Sequence, residues 1–175
     1  LGGKTLDAPG YDLLALLCGS EGMLGIITEI TVKLLPRPPQ SALVLAAFDN
    51  LAAAGETVGQ IIAQGLVPAG LEMMDRLAIQ AAEDFVHAGY PREAEVILLC
   101  EVDGVADEVA ADVALVSRIA ESYGAFTLDV ATDPEQQANL WRGRKAAFPA
   151  VGRLAPDYYC MDGTIPRAAL SRVLT

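Results

Sequence analysis

The sequence predicts an α+β fold in which a mixed or antiparallel sheet is covered by helices, and it favours a ferredoxin-like arrangement for residues 40–175. Strand and helix patterns alternate along this region, and the helices are few enough that all of them could lie on one face of the sheet. Prolines at 36–39 separate the region from a preceding glycine-rich segment. With 53% hydrophobic and 20% charged residues, the 175-residue chain has enough apolar side chains to bury a core.

The first predicted element is a strand over residues 26–35, where side chains alternate and β-branched residues are frequent. Three prolines within residues 36–39 end this strand and form a semi-rigid connector. We therefore expect a domain boundary near residue 39. Residues 1–39 would be the C-terminal end of one domain, and residues 40–175 would form most of a second.

The second region carries its own start and stop signals. Apolar residues recur at steps of four and three over 106–123, which predicts a helix that Gly124 caps. Asp133 followed by Pro134 is typical of a helix N-terminus. Similar reasoning predicts the remaining strands at 43–48, 71–74, 95–103, 125–131 and 158–165, and the remaining helices at 51–64, 76–88, from 134 and from 167.

Composition excludes several classes of function. A formal net charge of -11 argues against binding to nucleic-acid phosphates or to an anionic membrane surface. Three widely spaced cysteines argue against a disulfide framework and a Cys-x-x-Cys metal site, and a single histidine argues against a histidine-rich one. No signal peptide and no apolar run of 18 residues is found, so we expect a cytoplasmic protein.

A glycine-dense segment precedes the first predicted strand, with Gly19, Gly22 and Gly25 at three-residue spacing. This spacing matches neither a dinucleotide-binding fingerprint nor a P-loop. Such a loop offers bare backbone N–H groups to a flat or anionic ligand, although a tight turn before a strand is the alternative from spacing alone. We interpret Glu21 as an acceptor of backbone N–H groups rather than as a catalytic acid.

A second candidate feature is a stripe of four side chains on the helix that starts at 134: Trp141, Arg144, Phe148 and Val151. Three of them are apolar, so we expect this face to be buried. A guanidinium cannot lose its proton there and needs an anion. The anion could belong to an internal ion pair or to a substrate carboxylate, or the side chain could extend to water. The acidic candidates for an internal pair are Glu72, Asp75 and Asp162.

A family resemblance rests on two runs of sequence. The end of the FAD-binding domain in FAD-linked oxidases of the vanillyl-alcohol oxidase type resembles GYDLLALLCGSEGMLGIITEITVKLLPRPP. The substrate-side cap domain of the 2-hydroxy-acid members resembles LWRGRKAAFPAVGRLAPDYYCMDGTIPRAAL. The resemblance implies FAD as the cofactor. The motif residues that would line the flavin are Gly19, Ser20, Glu21, Gly22, Leu24, Gly25, Ile26 and Ile27.

The resemblance also implies an FAD-dependent oxidation of a 2-hydroxy acid, glycolate to glyoxylate, with D-lactate or another D-2-hydroxy acid as the alternative substrate. Trp141 and Arg144 match a W-x-x-R pattern whose arginine binds the substrate carboxylate. Cys160 stands where some relatives have a lysine, which indicates a small substrate with one carboxylate. The pyrophosphate loop, metal ligands and catalytic base of the family have no counterpart here. We therefore assign no catalytic or metal-binding residue and expect this chain, as a fragment, to be inactive by itself.

The implied partners are the other subunits of a glycolate-oxidising enzyme, including an iron–sulfur protein, and the chain could also form a homo-oligomer. Association with the inner membrane would occur through partner subunits. A ferredoxin-like ligand-binding or regulatory domain is the alternative from another functional class. Such a domain would have no use for a flavin-lining segment before its first strand.

Overall fold

A computed structural model describes residues 10–155, 157–166 and 169–174 of the chain. The chain divides into two compact units, one ending at Pro36 and the other beginning at Arg37. In the first unit the described residues form a short helix, α1 (Leu13–Leu17). Its N-cap is Asp12, whose Oδ1 accepts a hydrogen bond from the Ala15 amide at 3.0 Å.

The strand predicted over residues 26–35 is wrong, because these residues lie outside any strand or helix. Their apolar side chains are exposed, with Ile26 at 92% and Leu34 at 84%. A stable strand needs both an alternating pattern of side chains and hydrogen bonds to a neighbouring strand. The sequence of this segment supplies only the alternating pattern. Within the described part of the chain, no strand pairs with this segment.

The second unit is built on a four-stranded antiparallel sheet in the order β2-β3-β1-β4. The strands are β1 (Gln40–Phe48), β2 (Gly70–Asp75), β3 (Val96–Gly104) and β4 (Thr127–Ala131). The central pair is β1 and β3, in which Leu45 lies opposite Leu99. Each outer strand follows a helical crossover that passes its neighbour, which is the split β-α-β pattern of ferredoxin-like folds. The predicted α+β class is confirmed.

Helices cover both faces of this sheet, whereas the sequence had allowed all of them on one face. The helices of the second unit are α2 (Leu51–Ala63), α3 (Arg76–Val86), α4 (Ala106–Ser122), α5 (Pro134–Lys145), α6 (Ala147–Val151) and α7 (Leu170–Leu174). Leu43 of β1 packs in one cluster with α3 and α5, and Val44 packs in another with α2 and α4. Because β1 is buried on both sides from residue 42 to 48, each face requires its own cover.

The predicted helix ends are confirmed where capping residues mark them. Asp133 Oδ1 accepts hydrogen bonds from the amides of Glu135 and Gln136 at 2.9 and 3.2 Å, with Pro134 in the first turn of α5. Gly124 follows α4 with a φ of +87°, which favours glycine. None of the described helices combines the length and apolar character needed to cross a bilayer.

The strand predicted at 158–165 is also wrong, since these residues lie outside strands and helices. Tyr159 is 88% exposed, and the described sheet ends with β2 and β4 as its outer strands. The same physical reason applies as for residues 26–35: the period-two pattern is present, but no described strand accepts its hydrogen bonds.

Candidate functional site

The candidate site is built on α5, which ends at Lys145 because of a proline four residues later. Pro149 has no N–H to donate to the Lys145 carbonyl, and its ring would clash with that oxygen. The chain therefore breaks and continues as the short helix α6. Phe148 leaves the predicted stripe and is 55% exposed, whereas Trp141 and Arg144 remain half-buried on α5. The prediction of one buried stripe is wrong for Phe148.

Arg144 forms an ion pair with Glu72 of β2. Its Nε donates to Glu72 Oε2 at 3.0 Å, and its Nη2 lies 2.9 Å from the same oxygen. The side chains of the two residues are 32% and 40% exposed. Of the acidic partners considered from the sequence, the structure therefore selects Glu72. The contacts described for Arg144 leave its Nη1 donors and one N–H of Nη2 available.

Trp141, three residues earlier on α5, also contacts a glutamate of the sheet. Its Nε1 donates to Oε2 of Glu101 on β3 at 2.9 Å. The indole also lies against Gly70 of β2, where an added Cβ would come within 3.3 Å of the ring. Gly70 and Glu101 are paired in the sheet, so Glu72 and Glu101 occupy diagonal positions on neighbouring strands. Helix α5 is thus joined to two strands by two carboxylates.

The inner side of α5 is held by close packing against the loop after α3. A Cβ at Gly143 would lie 2.5 Å from the Tyr90 hydroxyl oxygen and 2.6 Å from the Ala88 Cβ, so only glycine allows this approach. The Tyr90 hydroxyl donates to the Leu140 carbonyl. Burial raises the pKa of Tyr90, so the phenol keeps its proton and remains a donor.

The first turn of α5 is fixed to the sheet by Gln137. Its Nε2 donates to the carbonyls of Ser41 and Thr132 at 3.0 and 3.2 Å, and its Oε1 accepts from the Ser41 hydroxyl at 2.9 Å. An open groove of about 980 Å³ lies beside these residues and also includes Trp141 and Glu101. Arg144 does not line this groove, so the groove and the ion pair are separate features.

The predicted flavin-lining residues lie in the first unit, where two tight turns precede residues 25–27. The Ser20 amide donates to the Leu17 carbonyl at 3.2 Å, and the Met23 amide to the Ser20 carbonyl at 2.9 Å. Gly19 and Gly22 have φ of +80° and +78°, and no atom of the described residues lies within 4 Å of a Cβ built on either. Bare backbone is therefore open at both glycines, which fits the approach of a flat ring.

The apolar part of the same motif is also exposed in the described chain. Leu24, Ile26 and Ile27 are 58%, 92% and 61% exposed. These residues therefore fit one apolar wall of a cofactor site. The acceptor role assigned to the carboxylate of Glu21 stays a prediction.

Glu101 was not among the residues predicted from the sequence, although a signal for it was present. Glu101 continues the period-two face of Ile97 and Leu99, which both pack in the cluster beneath α5. A carboxylate at the end of such an apolar face needs a donor from the covering element. Within the described residues, no three His, Cys, Asp or Glu side chains are arranged to hold a metal ion.

Comparison with known proteins gives matches along the whole chain. The family model for FAD linked oxidases, C-terminal domain, matches residues 37–175. Over 99% of its length, the chain is 60% identical to glycolate oxidase subunit GlcD of Escherichia coli, of which it covers 35%. It is 37% identical to glycolate oxidase subunit GlcD of Bacillus subtilis, with 99% of this chain and 37% of that protein covered. The chain thus spans about a third of the length of these relatives.

More distant relatives agree with this assignment. A D-lactate dehydrogenase of Anaerostipes hadrus is 34% identical, with 81% of this chain and 31% of that protein covered. Among solved structures, an alkyldihydroxyacetonephosphate synthase aligns with a TM-score of 0.62 at 20% identity, covering 83% of this chain and 29% of that chain, which supports the fold alone. The resemblance found in the sequence is confirmed. The chain belongs to the FAD-linked oxidases, a family whose cofactor is FAD, and residues 37–175 belong to their C-terminal domain.

Proposed function

We propose that this chain is part of an FAD-dependent oxidoreductase that oxidises glycolate to glyoxylate, with Arg144 as the residue that binds the substrate carboxylate. The observation that carries the proposal is the half-engaged guanidinium of Arg144. Glu72 occupies one edge of it, and the free end offers two N–H donors in the geometry that a carboxylate accepts. The identity of 60% to a glycolate oxidase subunit supports glycolate as the substrate.

A D-2-hydroxy acid such as D-lactate is the second candidate substrate. The observation that favours it is the 34% identity to a D-lactate dehydrogenase. Glycolate and D-lactate share one carboxylate beside one hydroxyl and differ by a methyl group. Arg144 would bind both in the same way, so the choice between them depends on the space around the methyl group.

In this proposal the residues of the chain bind and orient. Arg144 holds the substrate carboxylate, which fixes the adjacent carbon that carries the hydroxyl group. When bound, FAD would supply the acceptor for the hydride of that carbon, and the hydroxyl proton would pass to a general base, which we assign to none of the described residues. The ion pair with Glu72 keeps the guanidinium in place before the substrate arrives, so less entropy is lost on binding.

Residues 1–39 are proposed to be the end of the FAD-binding domain, and residues 40–175 the cap domain. The residues proposed to line the flavin are Gly19, Ser20, Glu21, Gly22, Leu24, Gly25, Ile26 and Ile27. The open backbone at two of the glycines and the exposed apolar side chains support this assignment. Their contribution is close packing and backbone hydrogen bonding rather than proton transfer.

The partners are proposed to be further subunits, because the relatives from Escherichia coli and Bacillus subtilis are named as subunits of glycolate oxidase. An iron–sulfur protein among them would receive the electrons. A cytoplasmic location, with attachment to the inner membrane through such subunits, and a homo-oligomer remain predictions.

The experiment uses the flavin-loaded protein in which this sequence continues at both ends to the length of its relatives. Anaerobic addition of glycolate should bleach the visible flavin absorbance. Arg144→Met should lower kcat/KM for glycolate about 100-fold, the loss expected for a bidentate charged contact, with flavin content unchanged. A well-folded protein without flavin, or unchanged kinetics of the variant, would contradict the proposal.

Arg142→Met is the matched control. Arg142 lies on the same helix, is exposed, and donates from Nη2 to the Val86 carbonyl at 3.0 Å and to Asn139 Oδ1 at 2.6 Å. This substitution removes an arginine without touching the ion pair. Its kinetics should therefore stay within about twofold of the unsubstituted protein.

A further inference from the structure

The ion pair between Glu72 and Arg144 has a geometry that fixes the direction of the guanidinium. A single oxygen, Glu72 Oε2, accepts a hydrogen bond from Nε at 3.0 Å and lies 2.9 Å from Nη2, which are ordinary distances for a charge-assisted contact. These two donors form one side edge of the planar group. The adjacent end of the group, with Nη1 and the second N–H of Nη2, therefore faces a different direction from Glu72 and can act as a two-pronged donor.

Both ends of the ion pair are held by regular structure. Glu72 lies on β2 opposite Leu99 of the central strand β3, so its backbone is fixed by the sheet. Arg144 lies in the last turn of α5, after a first turn held by Gln137 and after Trp141, which donates to Glu101. A side chain whose backbone and whose partner are both fixed loses little freedom when a ligand binds.

The charges around the pair disfavour a second negative group on the ligand. Glu72 and Arg144 cancel each other, so one bound carboxylate leaves an excess of one negative charge on these three groups. The other basic residues in the last turn of α5, Arg142 and Lys145, are exposed, so solvent screens their charges. Glu101 lies at the diagonal position on β3, and the donor that it receives from Trp141 is neutral. Its charge is therefore not compensated by that contact, and a further carboxylate near this edge of the sheet would be repelled.

We propose that Glu72 is a positioning residue for Arg144, and that its charge restricts the site to 2-hydroxy acids with one carboxylate. The proposal rests on the proposed function of Arg144 as the carboxylate-binding residue. It assigns to Glu72 two separable properties, an acceptor oxygen that orients the guanidinium and a negative charge that selects the ligand.

The test compares two ligands that cannot be oxidised, because neither has a hydrogen on the carbon that bears the hydroxyl group. 2-Hydroxyisobutyrate has one carboxylate, and 2-methylmalate has the same centre with a second carboxylate. Their Kd values are measured by titration calorimetry on the flavin-loaded protein that contains this sequence. The variants are Glu72→Gln, which keeps an acceptor oxygen without the charge, Glu72→Ala, which removes both, and Arg144→Met.

In the unsubstituted protein the monocarboxylate should bind at least about tenfold more tightly than the dicarboxylate. Glu72→Gln should change the Kd of 2-hydroxyisobutyrate by less than about threefold and strengthen 2-methylmalate about tenfold. Glu72→Ala should weaken 2-hydroxyisobutyrate about tenfold, and the rescue of this loss in Glu72→Gln separates positioning from a general loss of structure.

The inference is overturned if Glu72→Gln leaves the ratio of the two Kd values unchanged, or if Glu72→Ala folds and binds 2-hydroxyisobutyrate normally. If Glu72→Ala fails to fold, the ratio of the two Kd values in Glu72→Gln is sufficient to decide the inference. Arg144→Met separates the two proposals. If it binds 2-hydroxyisobutyrate normally, the proposed function of Arg144 fails; if it loses binding while both Glu72 variants behave like the unsubstituted protein, only the present inference fails.

Discussion

The indole of Trp141 donates from Nε1 to Oε2 of Glu101 over 2.9 Å while its six-membered ring lies against Gly70. A side chain at Gly70 would displace the ring, since a Cβ there would come 3.3 Å from its Cζ2. The same helix bears the guanidinium that pairs with Glu72. The position of the candidate carboxylate-binding group therefore depends on a packing contact that involves no ligand.

Replacing Trp141 with Phe tests this dependence. The phenyl ring keeps part of the apolar contact, but Glu101 loses its donor, so we expect the free energy of unfolding to fall by about 1–3 kcal/mol. Urea unfolding followed by circular dichroism measures the change. In Glu101→Gln the amide oxygen still accepts from the indole, so the free energy of unfolding should fall less than in Trp141→Phe. Equal stability of Trp141→Phe and the unsubstituted protein would show that the hydrogen bond does not hold α5.

Gly143 provides a second test of the position of α5. An added Cβ would lie 2.5 Å from the Tyr90 hydroxyl oxygen and 2.6 Å from the Ala88 Cβ, so Gly143→Ala must push the helix outward. Overpacking costs about 1–3 kcal/mol, which exceeds the gain of about 1 kcal/mol from replacing a helical glycine. We therefore expect net destabilisation in thermal unfolding.

Gly59→Ala is the matched control for Gly143→Ala. Gly59 also lies within a helix, α2, but no atom from the described part of the chain lies within 4 Å of a Cβ built there. Only the helix propensity changes, so this variant should gain up to about 1 kcal/mol. Opposite signs for the two substitutions are expected, and two stabilising results would mean that α5 is free to move away from Tyr90.

Local sequence signals predicted most of the second unit because those signals act within a few residues. The N-cap at Asp133 and the left-handed glycine after α4 each mark a helix end by chemistry that depends only on neighbours in sequence. The strands β1 and β3 carry their own period-two or fully apolar patterns. For these elements the tertiary structure agrees with the local preference.

Most of the errors concern properties that depend on distant partners. The segments 26–35 and 158–165 alternate like strands, but pairing requires a second strand, and the described chain supplies none. The interruption after Lys145 could have been predicted from Pro149. The choice of Glu72 as the partner of Arg144 could not, because it depends on which residue of β2 faces α5, and this follows from the register of β2 on β3.

The N-cap residue of α5, Asp133, gives a prediction about the stability of this helix. Asp133 Oδ1 accepts two amide hydrogen bonds, and its charge lies at the positive end of the helix dipole. Asp133→Ala should lower the free energy of unfolding by about 1 kcal/mol. Asp133→Ser keeps an acceptor oxygen and should recover most of the loss in urea unfolding. Equal losses in the alanine and serine variants would argue against capping as the cause.

Cys100 gives a prediction about reactivity and pH. Burial in the sheet, and to a smaller extent the charge of Asp112, raises the pKa of this thiol from 9.0 to about 12. In the native protein at mildly alkaline pH, iodoacetamide should therefore modify the exposed Cys160 at least about 100-fold faster than Cys100, as measured by mass spectrometry of peptides. Similar rates for both thiols without denaturant would contradict the buried position of Cys100.

The same pKa shift fixes the sign of a stability effect. The thiol of Cys100 is ionised more easily in the unfolded chain, with its pKa of 9.0, than in the folded one, with its pKa of about 12. Its contribution to stability is therefore fully present below pH 9.0 and is lost as the pH rises from there to about 12. Cys100→Ala removes this group, so its free energy of unfolding should fall less steeply over that range. Parallel curves for the two proteins would show that the thiol titrates alike in both states.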